Sequence, residues 1–278
     1  MVCERDRREV EAWERLDFVN DPELDEPVTD MGFIEALGVA DDGDVEVAFR
    51  LPTYWCSPNF AFLMADDIHR ELSALPWTRE VRVTLHDHMF ADRLNAAVAD
   101  GRGFEEIFDD LSTGEDMDGL RAKFARKAFD RRQEALLLGL RVAGWSAEAI
   151  VAMTVDELAE ADFTPLSRTD ASNEIAAEAR RQRPRYLMLA RRQGLVSGAE
   201  DPAFVQFDGA PIPAQELDDH LGRLRAVRVN MEFSGALCRG LKASRYKERP
   251  SVKGDLTLVD FIPGSVPAAE MDKHDRRA

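Results

Sequence analysis

The feature that most constrains this chain is a change of hydrophobic period between residues 45 and 85. Val45, Val47, Phe49 and Leu51 alternate with Glu46, Ala48 and Arg50, the period of a strand with one buried face. The loop Pro52-Thr53-Tyr54-Trp55-Cys56-Ser57-Pro58 follows, and beyond it Phe60, Leu63, Met64, Ile68, Leu72 and Leu75 recur at helical spacing. Pro58 suits the first position of that helix. Alternation then returns, with Val81, Val83 and Leu85 on one face and Arg82, Thr84 and His86 on the other. A chain that changes period in this way must pack helix against sheet, which fixes the class as α+β.

The flanks extend this unit. Val10, Trp13 and Leu16 at helical spacing predict a short amphipathic helix over residues 4–16, broken at Asn20-Asp21-Pro22. Asp21 is placed to cap a following helix with Pro22 at its first position. Residues 31–39 read as extended, and Asp41-Asp42-Gly43-Asp44 as a turn. Helix, two strands, helix and strand make an α-β-β-α-β domain over residues 1–95, an ordinary domain size.

Residues 96–278 read as a mainly helical extension. Helical patterns cover Phe104 to Leu111 and Leu120 to Val142, and Thr154-Val155-Asp156-Glu157 is a capping box. A further helix is expected from about Ser172 to Gln193, interrupted at Pro184 and ended by Gly194. Leu217, Leu221, Leu224, Met231 and Leu241 suggest a last long helix, and Leu256 to Ile262 a final strand or extended tail. There is no internal repeat.

Composition excludes several functions. The 278 residues carry a formal net charge of −17, so the averaged field repels nucleic acid and anionic membrane. Neither is expected as a partner. The N-terminus is charged where a signal peptide is apolar, and no run approaches the ~20 apolar residues of a membrane span. The 3 cysteines, Cys3, Cys56 and Cys238, form no CxxC pair. That argues against a disulfide framework or a structural zinc site and for a reducing, cytoplasmic compartment. Phosphate-binding, dinucleotide, nucleophile-elbow and HExxH motifs are all missing, as are the paired Glu-x-x-His motifs of a di-iron bundle.

Cys56 is the residue best placed for chemistry. It closes the loop after a strand, just before a helix N-terminus, where backbone N–H groups and the helix dipole favour a thiolate. The competing interpretation is a small buried hydrophobe, because free cysteine is among the most buried residue types. Asp87 and His88 at the end of the third strand offer oxygen and nitrogen ligands for iron or zinc, and His86, two residues earlier, shares the side of His88 if the strand continues. Asp66 and His69 share a helix face. Cys238 reads as core packing or as a second thiol ligand. Lys123, Arg126, Lys127, Arg131 and Arg132 form one basic cluster; Arg180, Arg181, Arg183, Arg185, Arg191 and Arg192 form another. Such clusters are solvated faces or docking surfaces for an acidic partner.

Four segments in order, Asp21-Pro22-Glu23-Leu24, Asp30-Met31-Gly32-Phe33-Ile34, Pro52-Thr53-Tyr54 with Cys56, and Val81-Arg82-Val83-Thr84-Leu85, resemble the iron–sulfur cluster assembly domain of SufT-type and PaaD-type maturation factors. The resemblance covers roughly residues 14–95. It implies an α+β fold in which Cys56 falls on the functional cysteine and Thr53 on the loop threonine. In the family the cysteine is followed directly by proline, whereas here Ser57 intervenes before Pro58. Tyr54-Trp55-Cys56-Ser57-Pro58-Asn59-Phe60 and Asp87-His88 resemble helix-extended members associated with bacterial di-iron monooxygenase systems.

Together these observations predict an accessory maturation factor, not an enzyme. An iron–sulfur cluster is ordinarily held by about four thiolates, so 3 scattered cysteines cannot supply a resident one. Iron or a cluster would be handled transiently, or shared by Cys56 residues of a homodimer, while a client metalloprotein docks on the helical extension. Two alternatives remain at this level: a folding or interaction module for an oxygenase subunit without metal chemistry, and a thiol-dependent enzyme with His86 or His88 as base.

Overall fold

The structure, a computed structural model, describes residues 4–108 and 117–246. It divides into two compact units: residues 1–117 with 232–278, and residues 118–231. The first holds the sheet. Its sequence continues past the boundary expected at residue 95 and resumes at residue 232.

In the sheet unit, α1 (Glu4–Leu16) is followed by the hairpin β1 (Ile34–Val39) and β2 (Asp44–Arg50), then α2 (Pro58–Ser73), β3 (Glu80–His86), α3 (Ala91–Ala99) and α4 (Phe104–Ile107). The expected helix after Pro22 does not form. Asp21 caps a turn instead, its Oδ1 accepting from the backbone N–H groups of Glu23 and Leu24 at 2.9 and 3.0 Å. The hairpin turns at Gly43, whose φ is +93° and where an added Cβ would stand 2.5 Å from the Trp77 carbonyl, so only glycine fits.

Strand order is β1-β2-β3, with β2 antiparallel to β1 and parallel to β3. Val45, Val47 and Phe49 pair with Val81, Val83 and Leu85, so both strands turn the same apolar face inward. Ala61, Leu63, Met64, Ile68 and Leu72 of α2 join the buried set. The outer edge of β3 is closed by Asn95 of α3, which bonds the backbone N–H and C=O of Leu85 at 2.8 and 3.1 Å. Parallel pairing has one consequence that matters most. Because Arg50 stands opposite His86, the loops after β2 and β3 leave the sheet at the same end.

The helical unit comprises most of α5 (Met117–Val142), then α6 (Ala147–Ala152), α7 (Val155–Glu160), α8 (Asp170–Arg192) and the first half of α9 (Leu217–Tyr246). Residues 232–246 of α9 belong to the sheet unit. The capping box at Thr154 and Glu157 forms as expected. Helix α8, by contrast, runs unbroken through Pro184. Proline removes one backbone donor, but Ala176, Ala179, Gln182, Tyr186, Leu187 and Ala190 are buried on both sides of it, and that packing outweighs the local cost. Helices α5 and α8 touch at Gly139, where a Cβ would approach that of Ala179 to 2.3 Å. The segment expected at Leu256 to Ile262 and the end of the one expected at Phe104 to Leu111 lie outside the described residues.

Candidate functional site

The loop after β2 is anchored by buried Leu51 and Pro52, then turns so that the Cys56 N–H donates to the Thr53 carbonyl at 3.4 Å. This brings the Thr53 hydroxyl to 3.1 Å from the Cys56 sulfur. Ser57 precedes the first turn of α2, with Pro58 inside it. Cys56 is half-buried against the sheet unit's core, while Tyr54 and Trp55 at the tip of the turn are 45% and 72% exposed.

The loop after β3 meets this one. Asp87 adopts the left-handed backbone region at φ +52°, which ends the strand's alternation. His86 therefore stays outside, 2.9 Å from Glu35, whereas His88 turns inward and is only 5% exposed. The two histidines do not share a side. The His88 Nε2–H donates to the Cys56 carbonyl at 2.8 Å and its Nδ1 accepts from the Phe90 N–H at 3.2 Å, which defines one neutral tautomer. Burial pushes the His88 pKa down, only partly offset by the bond to Cys56. A further bond, Met89 N–H to the Tyr54 carbonyl at 2.9 Å, ties the loops together.

The end of α9 completes the arrangement. Arg245 pairs with the Asp87 carboxylate at 2.8 Å, and the Tyr246 hydroxyl lies 3.0 Å from the same carboxylate and 3.2 Å from the Leu51 carbonyl. Arg50 stacks on the Tyr246 ring with its guanidinium carbon 4.1 Å from the centroid. One turn and more earlier, Arg239 bonds Glu26 at 2.7 Å. Beside it Cys238 is half-buried against the same core as Cys56. Burial pushes its thiol up to about 12, with the charges of Asp21, Cys56 and Glu23 adding to the effect and Arg239 opposing it.

Of the residues singled out in the sequence, Thr53, Cys56 and His88 are thus brought together, with Asp87 alongside. Their donor atoms are not equally free. Both ring nitrogens of His88 and the carboxylate of Asp87 are engaged in holding loops and helix. In this arrangement they support the Cys56 loop. Asp66 pairs with Arg70 on α2 at 3.7 Å. Among the described residues no three His, Cys, Asp or Glu side chains converge as a metal-holding group. Arg239, Arg245 and Tyr246 carried no signal in the sequence, since nothing in the pattern of α9 indicates which turn meets the sheet unit.

The fold and site define a class: a small α+β domain that presents one threonine-supported thiol at the common end of two parallel strands. Residues 9–85, well under half of the chain, match the family described as iron–sulfur cluster assembly protein. The matched stretch includes Thr53 and Cys56 and ends before Asp87, His88 and all of α9. No curated protein and no solved structure matches the chain significantly. The match supports a role in iron–sulfur cluster assembly or maturation for the matched residues.

Proposed function

We propose that this protein is an accessory maturation factor that uses Cys56 to hold iron or an iron–sulfur cluster in transit to a client metalloprotein. The observation that carries this reading is the Cys56 thiol itself: half-buried, 3.1 Å from the Thr53 hydroxyl, in the family-matched loop. A hydroxyl at that distance supports a developing thiolate by donating to sulfur. One thiol is too few for a resident cluster, which suits a ligand that must let its cargo go.

Exposed Trp55, Tyr54 and Met89 form an apolar rim beside the thiol, and aromatic anchors of this type are typical of protein contacts. The helical unit, with its basic residues on α5 and α8, is assigned to client recognition. Several of those residues already serve the fold: Arg132 bonds the Arg185 carbonyl at 2.9 Å and Arg183 the Ala161 carbonyl at 3.0 Å. The client is an iron–sulfur or iron-centre protein. A di-iron monooxygenase is the specific candidate, resting on the sequence resemblance around Cys56 and Asp87-His88. No described helix is long and apolar enough to cross a membrane, and the factor is assigned to the cytoplasm, where thiols stay reduced.

In the producing cell, Cys56→Ala is expected to lower the iron content and activity of the client while the factor itself accumulates normally. Unchanged client iron would overturn the proposal. The packing of Cys56 against the core favours a second reading, a folding module without metal chemistry. Iron and sulfide analysis of anaerobically purified wild type and Cys56→Ala separates the two, because only the first predicts thiol-dependent metal.

A further inference from the structure

The end of β3 farthest from the Cys56 loop leaves the sheet edge unfinished. Leu85 turns its backbone N–H and C=O away from β2 and gives both to Asn95. Backbone orientation repeats every two residues along a strand, so Val83 and Val81 turn theirs the same way. Neither has a partner for these groups among the described residues. A cavity of about 310 Å³ opens here, lined by residues 78–83 and by the ends of α2 and α3, with no residue of β2 on its wall. Successive strand side chains point to opposite faces, so a cavity that touches each residue in turn lies along the backbone edge and not over one face. Ser73 and Ala99, the last residues of α2 and α3, stand on the other walls, and their carbonyls also lack a partner among the described residues. Thr78 lines the same cavity, its hydroxyl out of water and without a hydrogen bond.

We propose that this edge is a docking site for a short extended segment of a partner protein, one that carries a lysine or arginine. The surface lies the length of β3, roughly 20 Å, from the end of the sheet that presents Cys56, and it stands whether or not Cys56 handles metal. Outward N–H and C=O groups at the two-residue repeat of a strand match the backbone of an added strand. Only Val81 and Val83 offer them, so the added segment is short. A second copy of β3 is a poor occupant, because its own edge is recessed between two helix ends in the same way, whereas a chain end or an extended loop can enter. The walls set the charge of what enters. Helix C-termini carry partial negative charge, and both α2 and α3 end here. Arg79 and Arg82, also on the wall, pair with Asp42 and Asp44 and with Glu46 and Glu80, so two guanidinium groups face four carboxylates. A basic side chain on the incoming segment meets the unpaired Ser73 and Ala99 carbonyls within this acidic surround.

The test uses the full chain and, as probe, a fluorescein-labelled peptide with blocked ends in which valine and lysine alternate. Amide hydrogen exchange at Val81 and Val83, read by NMR, reports the edge directly. The peptide is expected to bind and to slow exchange at both residues, and the same peptide with glutamate in place of lysine to bind about tenfold more weakly, the combined effect of two helix ends. Ala99→Lys, at an exposed position where a cation suits the helix end, is expected to weaken the lysine peptide by about tenfold with thermal unfolding unchanged. Ala199→Lys adds the same charge at an exposed position of the helical unit and is expected to leave binding as it was. Equal weakening by the two variants would reduce the effect to net charge and overturn the proposal. Binding without slowed exchange at Val81 and Val83, equal binding of both peptides, or no binding at millimolar peptide also overturns it. So does slow exchange at these amides in the free chain: if independent of protein concentration, residues 247–278 of the same chain cover the edge, and if it grows with concentration, a second copy does.

Discussion

Two buried histidines, one in each unit, are held in the same chemical state for different ends. In the helical unit, the His220 Nε2–H donates to the Gln133 side-chain carbonyl at 2.6 Å, and its Nδ1 faces Arg223 at 3.3 Å. The Gln133 amide donates in turn to the Tyr186 hydroxyl at 3.0 Å and the Val205 carbonyl at 2.8 Å, and Tyr186 donates to the Ala203 carbonyl at 2.8 Å. These bonds lie inside the core, joining α5, α8, α9 and the loop between the latter two. In the sheet unit, His88 is the same neutral tautomer, but its Nε2–H goes to the backbone of a loop whose next turn is exposed. One histidine fixes how helices pack. The other fixes where a sulfur atom sits.

The largest effect that would sharpen this comparison is expected at Gln133. Gln133→Leu leaves the His220 N–H and the Val205 carbonyl without partners in a closed core, at about 1–3 kcal/mol for each orphaned group. We expect about 4 kcal/mol of destabilisation by chemical denaturation, with hydrogen exchange accelerated in residues 118–231 and the thiol reactivity of Cys56 unchanged. A variant that altered Cys56 reactivity as strongly as stability would break the distinction between the two histidines.

The units also differ in how they respond to acid. Burial holds both His88 and His220 below the ordinary histidine value. Each is neutral when folded and takes up a proton on unfolding, so its contribution is complete above pH 6.5 or so and is lost as pH falls through that value toward the folded pKa. In the sheet unit Asp21 works the other way. Burial raises its pKa from 3.8 to about 6 despite the bonds from the Leu24 and Glu23 N–H groups. Its contribution is complete below about pH 4 and is lost as pH rises to about 6, a change of about 3 kcal/mol at most. Asp21→Asn keeps an oxygen for both backbone donors and removes the buried charge. It is expected to stabilise the protein by up to about 3 kcal/mol at pH 7 and by little at pH 4. Equal stability of variant and parent at pH 7 would mean that Asp21 carries no such burden.

How far these differences could be read from the sequence follows from the range of the interactions involved. The period change over residues 45–85 specified β2, α2 and β3, because alternation and helical spacing are local properties of the chain. The Thr53–Cys56 pair was equally legible, being contained in one short loop and in the family pattern. Three features were not. Asp87 enters the left-handed region and sends His86 and His88 to opposite sides, which a continuing alternation could not foresee. Pro184 reads as a break because local propensity says so, and only packing along both halves of α8 keeps the helix whole. The placement of Arg239, Arg245 and Tyr246 depends on contacts with residues 26, 51 and 87, far away in sequence. Neither their spacing nor their composition marks the turn that makes them.

Tyr246 provides the finest test of the contrast between a closed network and a loop support. Its hydroxyl lies between the Asp87 carboxylate and the Leu51 carbonyl, and its pKa is raised by burial and by the bond to Asp87. Tyr246→Phe removes that hydroxyl but keeps the ring under Arg50, and Arg245 continues to pair with Asp87. The Asp87 carboxylate stays exposed to water while Leu51 is buried, so the loss should lie between the ordinary net value of a hydrogen bond and the cost of one orphaned acceptor, about 1–2 kcal/mol. A fall of that size, accompanied by faster alkylation of Cys56, is expected if the hydroxyl steadies the loop around the sulfur. The same fall with alkylation unchanged would mean that Tyr246 merely fastens the helix end and that Thr53, His88 and the Met89–Tyr54 bond hold the Cys56 loop without it.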